Sequence, residues 1–147
     1  MSELRVLHVN DDPLVTSLVA ALLSREGYAV TSINDPTQAI SAVVYENFRV
    51  VILDIEIPIV DGLQLLQDIK RHDGGIQVVM LTGVVTTSAA LEGMRLGASD
   101  CVFKPLDGSE KLLAAVADSF ATIDRWRTRL RELAQRRKAE RQLCDTP

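Results

Sequence analysis

Five short apolar runs punctuate the chain, at Arg5–Val9, Ala29–Ile33, Val50–Asp54, Gln77–Leu81 and Asp100–Phe103. Three of them read VLHV, VVILD and VVMLT, nearly continuous in apolar residues, as strands covered on both faces are. Between the runs the apolar positions change to a helical period. Pro13–Glu26 places Leu14, Leu18, Ala21 and Leu22 on one face and stops at Gly27, a residue suited to the position after a helix. Asp35 followed by Pro36 reads as an N-cap and a first helical residue, opening a helix to about Glu46. Asp61–His72 carries Leu63, Leu66 and Ile69, Thr86–Leu96 ends at Gly97, and a last helix opens near Asp107. Strands alternating with helices predict right-handed crossovers and a parallel sheet. The expected fold is α/β, a doubly wound five-stranded parallel sheet of flavodoxin-like type, (βα)5, with an extended C-terminal helix.

Composition adds limits. With 147 residues, 47% of them hydrophobic and 24% charged, the chain has the make-up of one globular domain. No apolar run approaches the roughly 20 residues that a membrane helix needs, and the start MSELRVLHVNDD lacks the pattern of a signal peptide. Cys101 and Cys144 lie far apart, so no disulfide framework is expected and a cytoplasmic setting is. The net charge of −4 conceals an asymmetry: residues 1–123 balance at −8 and residues 124–142 at +5. An acidic body over 1–122 and a basic helical extension and tail over 123–147 are expected to have separate tasks.

In a doubly wound sheet, ligands bind outside the carboxyl ends of the strands. Here the first strand ends in Asn10-Asp11-Asp12, the third in Asp54, the fourth in Thr82-Gly83 and the fifth in Lys104-Pro105. Taken singly each is ordinary, since acids cap helices and a lone lysine is usually solvated. Together they set several carboxylates, a hydroxyl and an ammonium on one edge. Two carboxylates about 4 Å apart repel by roughly 4 kcal/mol at an effective dielectric near 20, so the cluster calls for a cation. Mg²⁺, with oxygen ligands and retained waters, suits it. A carboxylate beside such an ion, a lysine and a hydroxyl is equipped to accept a phosphoryl group, which makes Asp54 the candidate nucleophile.

This set of residues resembles the receiver domain of bacterial two-component response regulators over about residues 4–122, with Pro58 and Asp61-Gly62 following Asp54. The resemblance implies that Asp54 takes a phosphoryl group from a phosphohistidine on a sensor histidine kinase or phosphotransfer protein. It implies Mg²⁺ held by the side chains of Asp11 and Asp54 and the backbone carbonyl of Glu56. Lys104 would pair with the phosphoryl group, Thr82 would move to bond it, and the Lys104–Pro105 peptide would be cis. The protein would catalyse only its own phosphorylation and dephosphorylation and would signal to a downstream protein effector.

Three positions depart from the family pattern. Counting back from Gly27 puts the usual acidic pair at Asn10 and Asp11, so Asn10 is a neutral, indirect metal contact, and Asp12 is expected to begin the helix, a register slipped by one making it a ligand instead. Glu56 adds a carboxylate near Asp54. Cys101 stands where the family has an aromatic whose rotamer couples to the threonine, so the usual hydroxyl–aromatic pair is missing and the switch residues are expected to be Thr82, Cys101, Lys104 and Pro105. Phe103 is expected on the other face of its strand, in the core. A receiver that binds partners without phosphorylation is the alternative. A haloacid-dehalogenase-like phosphohydrolase is weaker, because its second acid would be Glu56 and no substrate-capping insertion exists.

The last helix has no evident stop before about Gln142. Leu112, Leu113, Val116, Phe120 and Ile123 are expected on the sheet, and Trp126, Leu130 and Leu133 continue a narrow stripe among eight basic side chains. That stripe is a candidate partner-binding face, a homodimer being one use of it. Nucleic acid is disfavoured without a helix-turn-helix, aromatic platform or glycine-rich loop, and no output domain is expected within residues 123–147.

Overall fold

A computed structural model describes residues 4–55, 61–83, 87–103 and 110–144. All five expected strands form: β1 Arg5–Val9, β2 Ala29–Ile33, β3 Val50–Asp54, β4 Gln77–Thr82 and β5 Asp100–Phe103. They make one sheet in the order β2-β1-β3-β4-β5, and every neighbouring pair is parallel. The helices are α1 Pro13–Ser24, α2 Ala39–Glu46, α3 Gly62–His72, α4 Thr87–Arg95 and α5 Glu110–Cys144. The Asp35-Pro36 start opens as a 3-10 turn, Pro36–Gln38, before the chain settles into α2.

Local chemistry sets these boundaries. The Oδ1 atoms of Asp12, Asp35 and Asp61 accept the N–H groups of Leu14, Thr37 and Leu63 at 2.9, 3.1 and 3.0 Å, each satisfying a donor that a first turn leaves open. Gly27 follows α1 at φ +88°, a region that side chains with a Cβ avoid.

The sheet divides two apolar layers. On one side Val6, Val50, Ile52, Val79, Leu81 and Val102 pack with Val19 and Leu23 of α1 and Leu112, Val116 and Ile123 of α5. On the other, Leu7, Val9, Val51, Leu53, Val78 and Met80 pack with α2 and α3 through Val43, Leu65, Leu66 and Ile69. This is the doubly wound arrangement. Since each interior strand contributes residues to both layers, its sequence is apolar without alternation.

Two expectations fail. Leu14 and Leu18 are 81% and 51% exposed, while α1 buries Thr16, Val19 and Leu23. Both faces of this helix are apolar, so periodicity alone left two candidate stripes and packing on the sheet selected the other one. Phe103 is 44% exposed rather than in the core. Two residues apart on a strand, Cys101 and Phe103 share a face, and it is Val102 between them that enters the layer against α5.

Helix α5 behaves as two parts. Leu112, Val116 and Ile123 are buried, with Leu113 and Phe120 partly so. From Asp124 to Cys144 every residue is exposed, a stretch that rises about 30 Å at 1.5 Å per residue. Trp126, Leu130 and Leu133 lie on it 62%, 60% and 47% exposed. No helix among the described residues is long and apolar enough to cross a membrane.

Candidate functional site

Strand order places β1 beside β3, with α1 leaving toward one layer and α3 toward the other. A crevice at the carboxyl ends of β1 and β3 follows from that divergence. Asp54 is the last residue of β3 and is 3% exposed; Asn10 directly follows β1 and is 0% exposed. The pairing of Val9 with Leu53, carried one step on, sets Asn10 beside Asp54 on the same face, with strands about 4.8 Å apart. Asp11 comes next in the loop and is exposed. Thr82 ends β4 at 7% exposure, and Ile55 N–H donates to Leu81 O at 3.3 Å, continuing the β3–β4 ladder to the edge.

Asn10 is tied into the frame. Its backbone N–H donates to Ile33 O at 3.0 Å, its carbonyl accepts from Asn34 Nδ2 at 3.0 Å, and its Oδ1 accepts from Asp12 N–H at 2.9 Å. Asn34 Nδ2 also donates to Thr16 Oγ1 at 3.2 Å, so one amide joins the end of β1, the loop after β2 and α1. Asn34 escaped the sequence reading, where its only sign was an Asn ahead of the Asp-Pro cap. With Asp12 capping α1, Asp11 is the acid of this loop that stands at the strand edge.

The approach of α3 is close. A Cβ built on Gly62 would lie 2.7 Å from Ile55 Cα and 2.8 Å from the carbonyl oxygens of Asp54 and Ile55. The Asp61-Gly62 pair therefore combines an N-cap with the one side chain small enough to let the helix press on the backbone around Asp54.

On the β5 side the sheet pairs Thr82 with Phe103 and Met80 with Cys101. Cys101 is half-buried under α4, and burial, assisted by Asp100, pushes its thiol up from the ordinary range. A cavity of about 360 Å³, lined by Met80, Ala90, Leu91, Met94, Ala98 and Cys101 among others, lies between α4 and this strand. Among the described residues of α4 only Gly93 is buried, so the helix is thinly anchored. Glu56, Pro58, Lys104 and Pro105 lie outside the described residues. Trp126, Leu130 and Leu133 are on the exposed part of α5 and belong to no strand end.

Among the described residues no group of three or more His, Cys, Asp and Glu side chains gathers as a metal site. Mg²⁺ asks for less, one or two carboxylates with waters and other oxygens. A buried carboxylate at Asp54 beside a loop carrying Asp11 fits that demand.

The family model for the response regulator receiver domain matches residues 6–117. The regulatory protein VanRc of Enterococcus gallinarum is 36% identical over 110 residues, 75% of this chain and 47% of that protein. The transcriptional regulatory protein TcrA of Mycobacterium tuberculosis is 32% identical over 110 residues, with 75% and 44% covered. The chain thus spans less than half the length of these relatives. Among solved structures, a CheY-like receiver domain of Methanospirillum hungatei superposes with a TM-score of 0.79 at 23% identity, covering 84% of this chain and 98% of that one. NtrX of Brucella abortus gives 0.79 at 29% identity, covering 90% of this chain and 30% of NtrX. With the strand order, the acid at the end of β3 and the family match in agreement, the chain belongs to the receiver domains of two-component response regulators.

Proposed function

We propose that the chain is a phosphorylation-dependent signalling switch in which Asp54 accepts a phosphoryl group from a phosphohistidine of a sensor histidine kinase or phosphotransfer protein. One observation carries the reading: a carboxylate 3% exposed at the end of the strand that borders the switch point. Burying an acid is costly, and the structural use of capping α3 is already served by Asp61. In the transfer, an Asp54 oxygen attacks phosphorus, the phosphorus–nitrogen bond breaks, and the imidazole nitrogen keeps the electron pair. The product is an acyl phosphate, which water later cleaves to inorganic phosphate and the free carboxylate. Both are reactions of the protein on itself; it acts on no other substrate.

Lys104 pairs with the phosphoryl oxygens and Thr82 donates its hydroxyl to one of them. Asp11, Asp54 and the Glu56 carbonyl would hold Mg²⁺, with Asn10 in an indirect role; when bound, the ion neutralises charge on the phosphoryl oxygens. Phosphorylation favours one arrangement of α4 and β5, through Thr82, Cys101, Lys104 and Pro105, and a downstream protein effector preferring that arrangement reads it. The thin anchoring of α4 and the cavity beneath it support such a shift. We place the protein in the cytoplasm and divide it into a receiver body over 1–122 and an extension over 123–147. A second copy of α5 is the partner we assign to Trp126, Leu130 and Leu133, because an exposed helix with few apolar positions gains most of its stability from packing.

The test is incubation with Mg²⁺ and acetyl phosphate. One phosphoryl group, labile to hydroxylamine, is expected on the wild type and none on Asp54→Asn. Equal incorporation in the two proteins would refute the assignment; no incorporation in either would favour a receiver that binds partners without phosphorylation.

A further inference from the structure

A second cavity lies at the base of the sheet, at the opposite end of β3 from Asp54. It has a volume of about 340 Å³ and sits where α5 passes the starts of β1 and β3, large enough for a small ligand. Leu4, Phe120 and Ile123 give it an apolar surface. Three guanidiniums also line it, from Arg5 and Arg49 on the sheet and Arg127 on the extension, against one carboxylate, Asp124, among the described residues. The lining therefore carries a balance of +2 in a protein whose residues 1–123 balance at −8. Neighbours hold these groups in place. Arg5 donates from Nη1 to Glu46 O at 2.7 Å, and its Cζ lies 4.3 Å from the centre of the Phe48 ring. Arg49 donates from Nη1 to Asp73, and the Phe120 ring is stacked on Tyr28 with centres 5.6 Å apart. A guanidinium has five donors in a planar fork. Each of these bonds uses a single nitrogen, so Arg5 and Arg49 are fixed and still have donors to give, which lowers the ordering cost of binding. Arg127 is held loosely, 4.0 Å from Asp124 with its side chain 52% exposed. Asn47 ends α2 in the left-handed conformation at φ 56° and adds a carboxamide that can both donate and accept.

We propose that this cavity binds a nucleoside monophosphate, its phosphoryl group taken by Arg5, Arg49 and Arg127 and its base laid on the apolar surface of Leu4 and Phe120. A phosphate monoester carries about −1.5 to −2 near pH 7, which the +2 of the lining neutralises. Planar guanidinium forks match phosphate oxygens in geometry as well as in charge. The apolar surface gives a flat ring somewhere to rest, and Asn47 pairs with the polar edge of the base. Arg5 and Arg49 belong to the sheet and Arg127 to the exposed part of α5, so a phosphoryl group held by all three bridges the body and its extension. Nothing in this site involves Asp54, and it stands apart from the receiver reading.

The probes are AMP, GMP, CMP and UMP, titrated by calorimetry into the full chain in EDTA, which silences any metal-dependent binding at Asp54. Inorganic phosphate and the matching nucleosides are titrated alongside. At least one nucleotide is expected to bind one to one, about ten-fold or more tighter than its nucleoside or phosphate alone. Arg127→Gln, at an exposed position where folding is not at risk, is expected to weaken that binding about ten-fold. Asp124→Asn removes the opposing carboxylate and is expected to tighten it by about three-fold. Arg131→Gln, one turn further along α5 and outside the cavity, is expected to leave it unchanged. Binding by none of the four nucleotides at millimolar concentration overturns the proposal. So does phosphate or nucleoside binding as tight as the nucleotide, an affinity that Arg127→Gln and Asp124→Asn do not move in opposite directions, or a loss in Arg131→Gln equal to that in Arg127→Gln.

Discussion

Replacing Gly62 with alanine would drive a methyl group into backbone atoms. The new Cβ would stand 2.7 Å from Ile55 Cα and 2.8 Å from the carbonyl oxygens of Asp54 and Ile55. Ordinary contact between such atoms is about 3.5 Å, so α3 or the end of β3 must move by roughly 1 Å, and neither is a flexible side chain. Overpacking of this kind costs about 1–3 kcal/mol, against which alanine gains about 0.5–1 kcal/mol over glycine in a helix. The net loss is at most about 2.5 kcal/mol, or a melting temperature lower by up to about 10 °C in a domain of this size. The effect on chemistry is larger: a displacement near 1 Å at the reacting group costs on the order of 100-fold in rate. Gly74→Ala is the control, since its Cβ would meet nothing closer than Lys70 O at 4.0 Å. The assay is the initial rate of phosphorylation by acetyl phosphate, read by mass spectrometry, beside a thermal melt of each variant. A Gly62→Ala protein that melts and reacts like wild type would refute the reasoning, as would a Gly74→Ala protein equally impaired.

Three further outcomes are expected. Alkylation at neutral pH should modify exposed Cys144 well before Cys101, whose thiol burial pushes up; peptide mapping that finds Cys101 modified first would contradict its placement under α4. The Asp73 carboxyl is held below its usual range, first by the hydrogen bond from Arg49 and then by the Gly75 N–H. A depressed carboxylate contributes stability above its unfolded value of 3.8 that is lost as pH falls through the folded value. With side chains 29% and 40% exposed, solvent screening limits the pair to about 0.5–1 kcal/mol. Arg49→Gln should therefore melt slightly below wild type at pH 7, with the gap closing below pH about 4; a gap that widens in acid would reverse the assignment. Finally, sedimentation should show a salt-sensitive dimer that is lost on truncation after Ile123, and a monomer in both forms at tens of micromolar would leave Trp126, Leu130 and Leu133 to a different protein.

Much of the architecture was written in local chemistry. Contiguous apolar runs marked β1, β3 and β4, because a strand buried on both faces admits no polar alternation, while β2 and β5 at the sheet edges keep polar residues; aspartates marked the starts of α1, of the turn leading into α2 and of α3 because their short carboxylates reach back to open N–H groups. The strand-end position of Asp54 followed from the same pattern. Tertiary structure decided what depends on residues distant in the chain. Asn34 reaches Asn10 across 24 residues, and no periodicity reports such a bond. The need for glycine at position 62 comes from the backbone of Asp54 and Ile55 lying against α3, not from its own turn. Helix α1 offered two apolar stripes, and only docking on the sheet chose Thr16, Val19 and Leu23 over Leu14 and Leu18. Sequence specifies what each segment can form by itself; which of its faces and atoms are used is set by the partners that the fold brings to it.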